Sequence, residues 1–278
     1  MTDVLTRDLN DGVLVLTLNR PDRLNALNPP LMRALVEAAH DAADDARVGV
    51  VVLRGSGRAF CAGGDIGGGD KAKAPGEEGA AAAEREAKRG PDTFEMRARW
   101  LRGNVEVVRL LRDVPKPTIA MVQGAAAGAG LCIAAACDLR VAAENATFTT
   151  AFAKVGFSGD YGGTYFLTRL LGTAKARELY FLGDRIDATE ALRIGLVNKV
   201  VPLDALELET MALARRLARG PRVAYLYMKR ALNAAEDGRL EDILDLESFY
   251  QTRTGATDDH REAARAFFEK REPVFKGS

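Results

Sequence analysis

The run from Thr118 to Ala143 constrains the fold more than any other part of the sequence. The letters TIAMVQG are typical of a buried strand, AAAGAG is a turn made only of small residues, and LCIAAACDLRVAA is typical of an apolar helix that leads into another strand. Strands and helices that alternate in this way are characteristic of α/β proteins. We therefore predict an α/β fold in which a glycine turn joins a strand to a helix.

The same alternation begins near the N-terminus. The letters GVLVLTLN, Gly12 to Asn19, alternate between apolar and polar residues like a strand, and a helix is predicted from Pro29. A second buried strand is predicted for VGVVVLRG, Val48 to Gly55, and a helix around Trp100 to Leu111 precedes the run described above. The N-terminal part is thus predicted to start as a β-α-β unit.

The pattern becomes mostly helical after Gly162, apart from a short strand in LVNKVVP. Three closing helices are predicted to begin near Leu203, Pro221 and Leu240. We therefore expect a core at residues 1–202 that holds the functional site.

The remaining residues, 203–278, are predicted to form a C-terminal helical region. Residues 67–91 differ from the rest of the core because Gly, Ala, Lys and Glu dominate them, and we predict a mobile loop there with a short helix near Ala80 to Lys88.

Charge and apolar content exclude several classes of protein. Among the 278 residues, Lys and Arg total 39 and Asp and Glu total 39, and basic residues are not clustered, so we expect no nucleic-acid partner. No apolar run approaches the roughly 18 residues of a membrane span, and the first residues do not resemble a signal peptide. We expect a cytoplasmic protein without a membrane partner.

The cysteines and histidines do not suggest a metal or a nucleophilic triad. Cys61, Cys132 and Cys137 are odd in number and lack CxxC spacing, so we predict small apolar residues rather than disulfides or zinc ligands. His40 lies in an amphipathic helix and His260 beside two aspartates, which favours surface or capping roles.

The glycines after the strand TIAMV do not form a dinucleotide fingerprint. The spacing of Gly124, Gly128 and Gly130 differs from G-x-G-x-x-G, and no acidic residue follows about 20 positions later to close a βαβ unit. Asp138, in the letters CDLR, is predicted to be structural, as a cap or an ion-pair residue where the helix passes into a strand.

Five motifs, in order along nearly the whole chain, resemble the enoyl-CoA hydratase/isomerase family, the crotonase superfamily. They are LNRPDRLNAL (Leu18 to Leu27), GRAFCAGGDI (Gly57 to Ile66), VQGAAAGAGLCIAAACDLRVAA (Val122 to Ala143), GLVNKVVP (Gly195 to Pro202) and AFFEKREPVF (Ala266 to Phe275). The resemblance implies a spiral of ββα turns followed by C-terminal helices that mediate trimerisation, often with two trimers stacked as a hexamer. It also implies an acyl-CoA substrate, of which coenzyme A is a part, and no separate cofactor or metal.

The resemblance implies an oxyanion hole made by two backbone N–H groups, those of Gly64 and Ala129. Such a pair stabilises the negative charge of a thioester enolate, and small residues let the substrate approach the backbone closely. Ala129 would lie at a helix N-terminus, whose dipole favours an oxyanion. The alternative is that the glycines of AGGD and AGAG only permit tight turns and helix packing.

Other positions are implied as contacts of the substrate. Arg23 suits a phosphate because its guanidinium presents a fork of donors, although a surface arginine in a turn needs no such role. Phe267 and Lys270 match C-terminal residues that reach CoA, often from a neighbouring subunit. The other CoA contacts implied by the resemblance are Leu24, Ala26, Ala62, Asp65 and Ile66.

Members of the family that add water use two glutamates to hold and activate it. The matching positions here are Cys132 and Phe152, and neither can activate water. Together with Tyr161, these residues are expected to line the acyl part of the site. The residues therefore favour a reaction other than hydration.

Asp160, which precedes YGGT, resembles the aspartate of the epoxyphenylacetyl-CoA isomerases and the 3,2-enoyl-CoA isomerases. A single carboxylate suits an isomerase because it can remove a proton from one carbon and return it to another. Phe152, Phe157 and Tyr161 are expected to keep the site dry and raise the proton affinity of Asp160. The structural alternative is that Asp160 only stabilises a turn beside Gly159.

We therefore expect an acyl-CoA isomerase that shifts a double bond through an enolate. One alternative is an enoyl-CoA hydratase of fatty-acid or aromatic-acid degradation that uses a substitute residue. The other is a non-catalytic crotonase-fold protein that binds acyl-CoA or serves as a scaffold.

Overall fold

The computed structural model describes residues 3–65 and 93–278 of the chain. The predicted loop at residues 67–91, with its short helix near Ala80 to Lys88, lies outside the described residues, as does Ile66.

Ten strands of the described residues form two sheets. The larger sheet has the order β1-β2-β3-β5-β7-β10, and all its neighbours are parallel except β1 and β2. Its strands are β1 (Leu5–Asn10), β2 (Val13–Leu18), β3 (Val50–Gly55), β5 (Thr118–Val122), β7 (Leu139–Ala143) and β10 (Lys199–Val201). The smaller sheet has the order β4 (Ala59–Cys61), β6 (Ala125–Ala127), β8 (Thr147–Thr149) and β9 (Ile186–Asp187).

Ten α-helices are present in the described residues. They are α1 (Pro29–Asp44), α2 (Phe94–Asn104), α3 (Glu106–Asp113), α4 (Ala129–Ala136), α5 (Gly163–Leu182), α6 (Ala188–Arg193), α7 (Leu206–Ala218), α8 (Arg222–Ala235), α9 (Leu240–Gly255) and α10 (Asp258–Glu269).

A strand of the larger sheet, a strand of the smaller sheet and a helix follow one another twice, as β5-β6-α4 and as β7-β8-α5. The predicted ββα turns and the α/β class are therefore confirmed. The predicted strands at Gly12 to Asn19 and Val48 to Gly55 correspond to β2 and β3, and the helix predicted from Pro29 is α1.

The middle strands of the larger sheet are covered on both faces, since the buried residues of β3 and β5 belong to clusters on either side of the sheet. In β3, Val50 and Val52 face α7, whereas Val51 and Leu53 belong to the core on the other side. Parallel strands that are covered on both faces are expected to read as continuous apolar runs. This packing explains why the letters VVVL predict a buried strand so clearly.

The first hairpin was not predicted from the sequence. Strand β1 pairs with β2 through Asp11 and Gly12, whose φ angles are 50° and 77°. Positive φ at both turn residues is typical of a type I′ turn, for which Asp-Gly is a preferred sequence. The dipeptide Asp11-Gly12 was therefore the feature of the sequence that could have predicted β1.

Two helix predictions need correction. The helix predicted around Trp100 to Leu111 is two helices, α2 and α3, which meet at Val105. Four helices rather than three close the chain, because the last one starts anew where the Thr257 side chain accepts a hydrogen bond from the His260 backbone N–H at 3.1 Å.

The C-terminal helices begin after β10, the last strand, which ends at Val201. Helix α7 lies on the larger sheet, where Leu206, Ala214 and Ala218 are buried against its strands. Helix α8 contacts α3 and α9. The division of the chain at residue 202 into core and helical region remains a prediction.

Cys61, Cys132 and Cys137 are free and buried, which confirms the prediction of small apolar residues. None of the described helices combines the length and the apolar content that crossing a membrane requires.

Candidate active site

The first predicted oxyanion turn, AGGD, is held by the segment that contains Leu24 and Leu27. The Ala62 N–H donates to the Leu24 carbonyl at 3.0 Å, and the Leu27 N–H donates to the Gly63 carbonyl at 2.7 Å. The Asp65 N–H in turn donates to the Leu27 carbonyl at 3.0 Å. These three bonds align the two segments that the sequence assigns to CoA.

The second turn, AGAG, lies directly beside the first. A Cβ atom added to Gly63 would lie 2.9 Å from the Ala127 carbonyl oxygen and 3.6 Å from the Ala129 nitrogen. Glycine is therefore required at this contact, and the φ of +93° at Gly63 requires it independently. The small residues of the two motifs allow the turns to approach at backbone distance.

The N–H groups of Gly64 and Ala129 are free to bind a ligand. Within residues 3–65 and 93–278, no hydrogen bond uses either group. Among residues 3–65 and 93–278, nothing lies within 4 Å of the position that a Cβ atom on Gly64 would occupy. Ala129 is the first residue of α4, whose N-terminal partial positive charge favours an anion.

Arg20 and Asn25 stabilise the first turn, and neither residue was predicted to have a role there. Arg20 Nη2 and Asp65 Oδ2 form an ion pair at 2.7 Å, and both side chains are largely buried. The fully buried Asn25 donates from Nδ2 to the Ser56 and Ala59 carbonyls at 2.9 and 2.8 Å. Asn25 has a positive φ of 58°, a conformation that asparagine tolerates. This tolerance was the only local feature that pointed to its role.

The predicted CoA residues lie in two separate places. Ala26 is buried, Leu24 is half-buried and Arg23 is exposed at the end of a short 3-10 helix, and all three adjoin the AGGD turn. Phe267 and Lys270 lie at the C-terminal end of α10 with exposed side chains, away from this turn in sequence and on the helical region.

Asp160 lies in the turn that leads into α5. Its carbonyl accepts a hydrogen bond from the Gly163 N–H at 3.1 Å, and the neighbouring Gly159, Tyr161 and Gly162 all have positive φ. Its Oδ1 is buried without a hydrogen-bond partner among the described residues. Burial raises the pKa of this carboxyl, since removal from water disfavours the charged form.

An aromatic and thiol enclosure surrounds this carboxyl. Phe152 and Tyr161 are buried, and the Phe152 ring stacks on Tyr180 with 5.8 Å between ring centroids. The Cys132 Sγ and the Tyr180 Oη each lie 2.4 Å from the position that a Cβ atom on Gly163 would occupy. Cys132, Phe152, Tyr161 and Asp160 are therefore brought together, and their assignment to the acyl part of the site stays a prediction.

Two features of this enclosure differ from the prediction. Phe157 is 64% exposed, so the expectation that it keeps the site dry is wrong. Its place is taken by Tyr180, which lies 20 residues beyond Asp160 in the sequence and carries no local motif.

The enclosure joins the oxyanion turn through Phe152. Its Cε1 lies 3.7 Å from the position that a Cβ atom on Gly128 would occupy. Cys132 belongs to the first turn of α4, where its N–H donates to the Gly128 carbonyl at 3.1 Å. Phe152 thus adjoins both the second turn and the Asp160 turn, since its Cδ2 lies 3.3 Å from the position that a Cβ atom on Gly159 would occupy.

The charge state of this enclosure is simple. Burial, followed by the charge of Asp160, raises the pKa of the Cys132 thiol, and burial raises the pKa of Cys61 to about 12. Both thiols are therefore neutral at physiological pH. Asp138, in contrast, forms an ion pair with Lys229 at 2.8 Å, which confirms its predicted structural role.

Comparisons with known proteins identify the family. Residues 8–278 match the family model Enoyl-CoA hydratase/isomerase. A probable enoyl-CoA hydratase from Rhodobacter capsulatus is 38% identical over 271 residues, which cover 97% of this chain and 96% of that protein. The 1,2-epoxyphenylacetyl-CoA isomerase of Escherichia coli K12 is 37% identical over 277 residues, with 100% of both chains covered.

A solved structure agrees with this result. The enoyl-CoA hydratase from Polaromonas sp. JS666 superposes with a TM-score of 0.85 at 33% identity, over 98% of this chain and 99% of that one. The two sheets and the C-terminal helices are thus those of the crotonase fold. The chain belongs to the enoyl-CoA hydratase/isomerase family.

Proposed function

We propose that the protein is an acyl-CoA isomerase in which Asp160 carries a proton between two carbons of the acyl group. The carboxylate removes a proton from C2 of a 3-enoyl thioester, and the electron pair of the broken C–H bond moves onto the thioester oxygen. The N–H groups of Gly64 and Ala129 hold this enolate. Asp160 then delivers a proton to C4, so that the double bond moves from C3–C4 to C2–C3.

The observation that carries this proposal is the unpaired Asp160 carboxyl in its apolar enclosure. A proton carrier needs a pKa that burial has brought towards the working pH, and Asp160 has a raised pKa. A hydratase must also hold a water molecule for attack. Cys132, whose thiol is buried and neutral, and Phe152, which is apolar, offer no such support.

The names of the relatives point to both reactions, since one relative is an isomerase and the other a hydratase. Both reactions can be measured with one enzyme preparation, using 3-hexenoyl-CoA and 2-hexenoyl-CoA. We expect the double-bond shift, or deuterium uptake from D₂O at C2 or C4, to be far faster than hydration. Hydration at about 10 s⁻¹ or more, with little isomerisation, would support the second candidate, an enoyl-CoA hydratase.

The two outcomes separate because hydration consumes water and isomerisation does not. A mass increase of one water in the product identifies hydration, whereas an isomer keeps the mass of the substrate. A protein that binds acyl-CoA in a thermal-shift assay but performs neither reaction would instead be the non-catalytic binding protein.

We also propose that the protein is a trimer or a pair of trimers. Large apolar side chains are exposed on the C-terminal helices, including Leu232 at 70% and Phe267 at 79%. A groove of about 640 Å³ between α8 and α9 is lined by Tyr227 and Met228 among others. Burial of such surface between subunits is favourable. Light scattering that gives a monomer or a simple dimer would contradict this proposal.

A further inference from the structure

Tyr180 reaches the Asp160 turn because helix α5 reverses direction at Gly172. This residue has φ 76° and ψ 163°, which are not helical values. In a straight helix, Gly163 and Tyr180 would lie about 25 Å apart along the axis. The Tyr180 Oη instead lies 2.4 Å from the position that a Cβ atom on Gly163 would occupy, so the second arm of α5 folds back over the first.

The Tyr180 hydroxyl is enclosed and has no strong partner. No oxygen or nitrogen of the described residues forms a hydrogen bond with it, and its polar neighbour is the thiol of Cys132, a weak partner. Its ring is fixed by stacking on Phe152. An enclosed hydroxyl without a hydrogen bond costs about 1–3 kcal/mol, so its presence calls for a functional explanation.

Asp160 supplies the complementary atom. Its Oδ1 is buried and has no hydrogen-bond partner among the described residues. The Tyr180 Oη lies 3.3 Å from the position of a Cβ atom on Gly159 and also adjoins Gly163, so it lies against the turn that carries Asp160. An unpaired donor and an unpaired acceptor thus share one enclosure.

We propose that Tyr180 is a positioning residue for Asp160. In the substrate complex its hydroxyl donates a hydrogen bond to Asp160 Oδ1, which leaves Oδ2 directed at the carbon that loses the proton. Catalytic hydrogen bonds are often long in the free enzyme and form only when substrate binds. This inference rests on the proposed function of Asp160 as the proton carrier.

Tyr161 is the other phenol of the enclosure, but it suits this role less well. Its hydroxyl is also unpaired, and its side chain is 3% exposed. The groups that raise its pKa after burial are Asp160, Cys61 and Cys132, so it faces the buried thiols of β4 and α4 as well as the carboxyl. Tyr180 instead adjoins Gly159 and Gly163, which lie before and after Asp160 in the same turn.

In the part of the chain that the structure describes, the titratable groups that face Asp160 are Cys132 from α4, the adjacent Tyr161, and Tyr180 from α5. Burial raises the pKa of all three, so each stays neutral in the acid and neutral range. The acid limb of the pH profile of kcat therefore reports the protonation of Asp160 in the substrate complex, where the proposed hydrogen bond forms. A hydrogen bond donated to the ionised carboxylate lowers its pKa, and loss of that donor raises it.

The test compares Tyr180→Phe with the matched control Tyr165→Phe. Both tyrosines lie on α5, but the Tyr165 hydroxyl pairs with Glu236 and Asp237 at 2.8 and 3.1 Å on the surface. With 3-hexenoyl-CoA as the probe, we expect Tyr180→Phe to lower kcat about 10-fold, to leave KM within about 2-fold, and to move the acid limb up by about one pH unit. Tyr165→Phe should leave all three values unchanged.

An acid limb that stays in place in Tyr180→Phe overturns the inference, whether or not kcat falls. The aromatic ring and its stacking are kept, so a melting temperature close to that of the wild type is expected for this variant. Asp160→Asn in the same series separates the two proposals. If Asp160→Asn retains wild-type turnover, the proposed function fails and this inference fails with it. If Asp160→Asn is inactive and Tyr180→Phe behaves as the wild type, only the role of Tyr180 is wrong.

Discussion

Asp138 lies just after helix α4 and Asp160 lies just before helix α5. The surroundings of these two carboxyl groups differ completely. Asp138 Oδ2 accepts hydrogen bonds from the Thr118 N–H, the Thr118 hydroxyl and Lys229 Nζ at 2.7, 2.9 and 2.8 Å. Asp160 has a raised pKa, and its Oδ1 has no partner among the described residues. Three donors therefore satisfy the Asp138 carboxyl within the fold, and Asp160 Oδ1 has no such donor in the described part of the chain.

The two aspartates also differ in what they contribute to the stability of the fold. Lys229 is 8% exposed and also donates to the Leu111 and Lys116 carbonyls, so Asp138 completes the pairing of a buried cation. Such a group serves stability, because an unpaired buried charge is expensive. Asp160 Oδ1 has no such partner among the described residues, as the proposed role of a proton carrier requires.

The largest expected effect is on activity, from Asp160→Asn. The amide keeps the shape of the side chain but cannot accept the proton, so kcat for isomerisation should fall about 10³-fold. The dissociation constant for a saturated acyl-CoA, measured by titration calorimetry, should change by no more than about 3-fold. Asp138→Asn is the matched control and should retain most of the turnover. Equal losses in the two variants would contradict the distinction between the two carboxyls.

The second effect is on stability, from Asp138→Ala. Removing this carboxylate leaves the Lys229 ammonium buried with only carbonyl partners, which should lower the free energy of unfolding by about 3 kcal/mol. Urea denaturation followed by circular dichroism measures the change. A loss below about 1 kcal/mol would show that the carbonyls suffice to hold Lys229. The reverse is expected for Asp160→Asn, which removes a buried, unpaired charge at pH 7 and should not lower stability.

A smaller effect is expected from Thr118→Val. The Thr118 hydroxyl donates to Asp138 Oδ2 and accepts from the Asp138 N–H at 2.8 Å, and valine preserves the shape while removing both bonds. We expect a loss of about 1–2 kcal/mol in the same denaturation experiment, with kcat unchanged. Changed isomerase kinetics in this variant would mean that the Asp138 pair communicates with the site.

The smallest effect is a displacement of the pH profile of the wild type. Burial raises the pKa of Asp160 above its ordinary value of 3.8, and only the ionised form accepts a proton. The acid limb of kcat/KM should therefore have its midpoint above 3.8, with activity lost as the pH falls through it. Protonation of Asp160 has opposite effects on stability and on activity. A raised pKa stabilises the fold below the ordinary value, and this contribution is lost as the pH rises through the folded-state pKa. A midpoint at or below 3.8 would mean that Asp160 is solvated in the working enzyme.

Local patterns predicted the elements that are long or strongly apolar. The letters VVVL gave β3, and α1 was predicted from its two prolines; Asn28 caps it by accepting from the Leu31 N–H at 3.1 Å. The smaller sheet was missed because its strands have only two or three residues. Strand β6, Ala125–Ala127, was assigned to a turn, since three alanines carry no period-2 pattern.

The sequence by itself determined the α/β class, the two glycine turns and the single aspartate before YGGT, because each depends on residue types that lie close together in the chain. Only the tertiary structure decided what surrounds those residues. Lys229 reaches Asp138 across 91 positions, and Tyr180 reaches Gly163 only because α5 turns back at Gly172. Whether a carboxylate is paired or left without donors depends on such distant segments. The difference between a structural aspartate and a candidate proton carrier therefore appears only after the chain has folded.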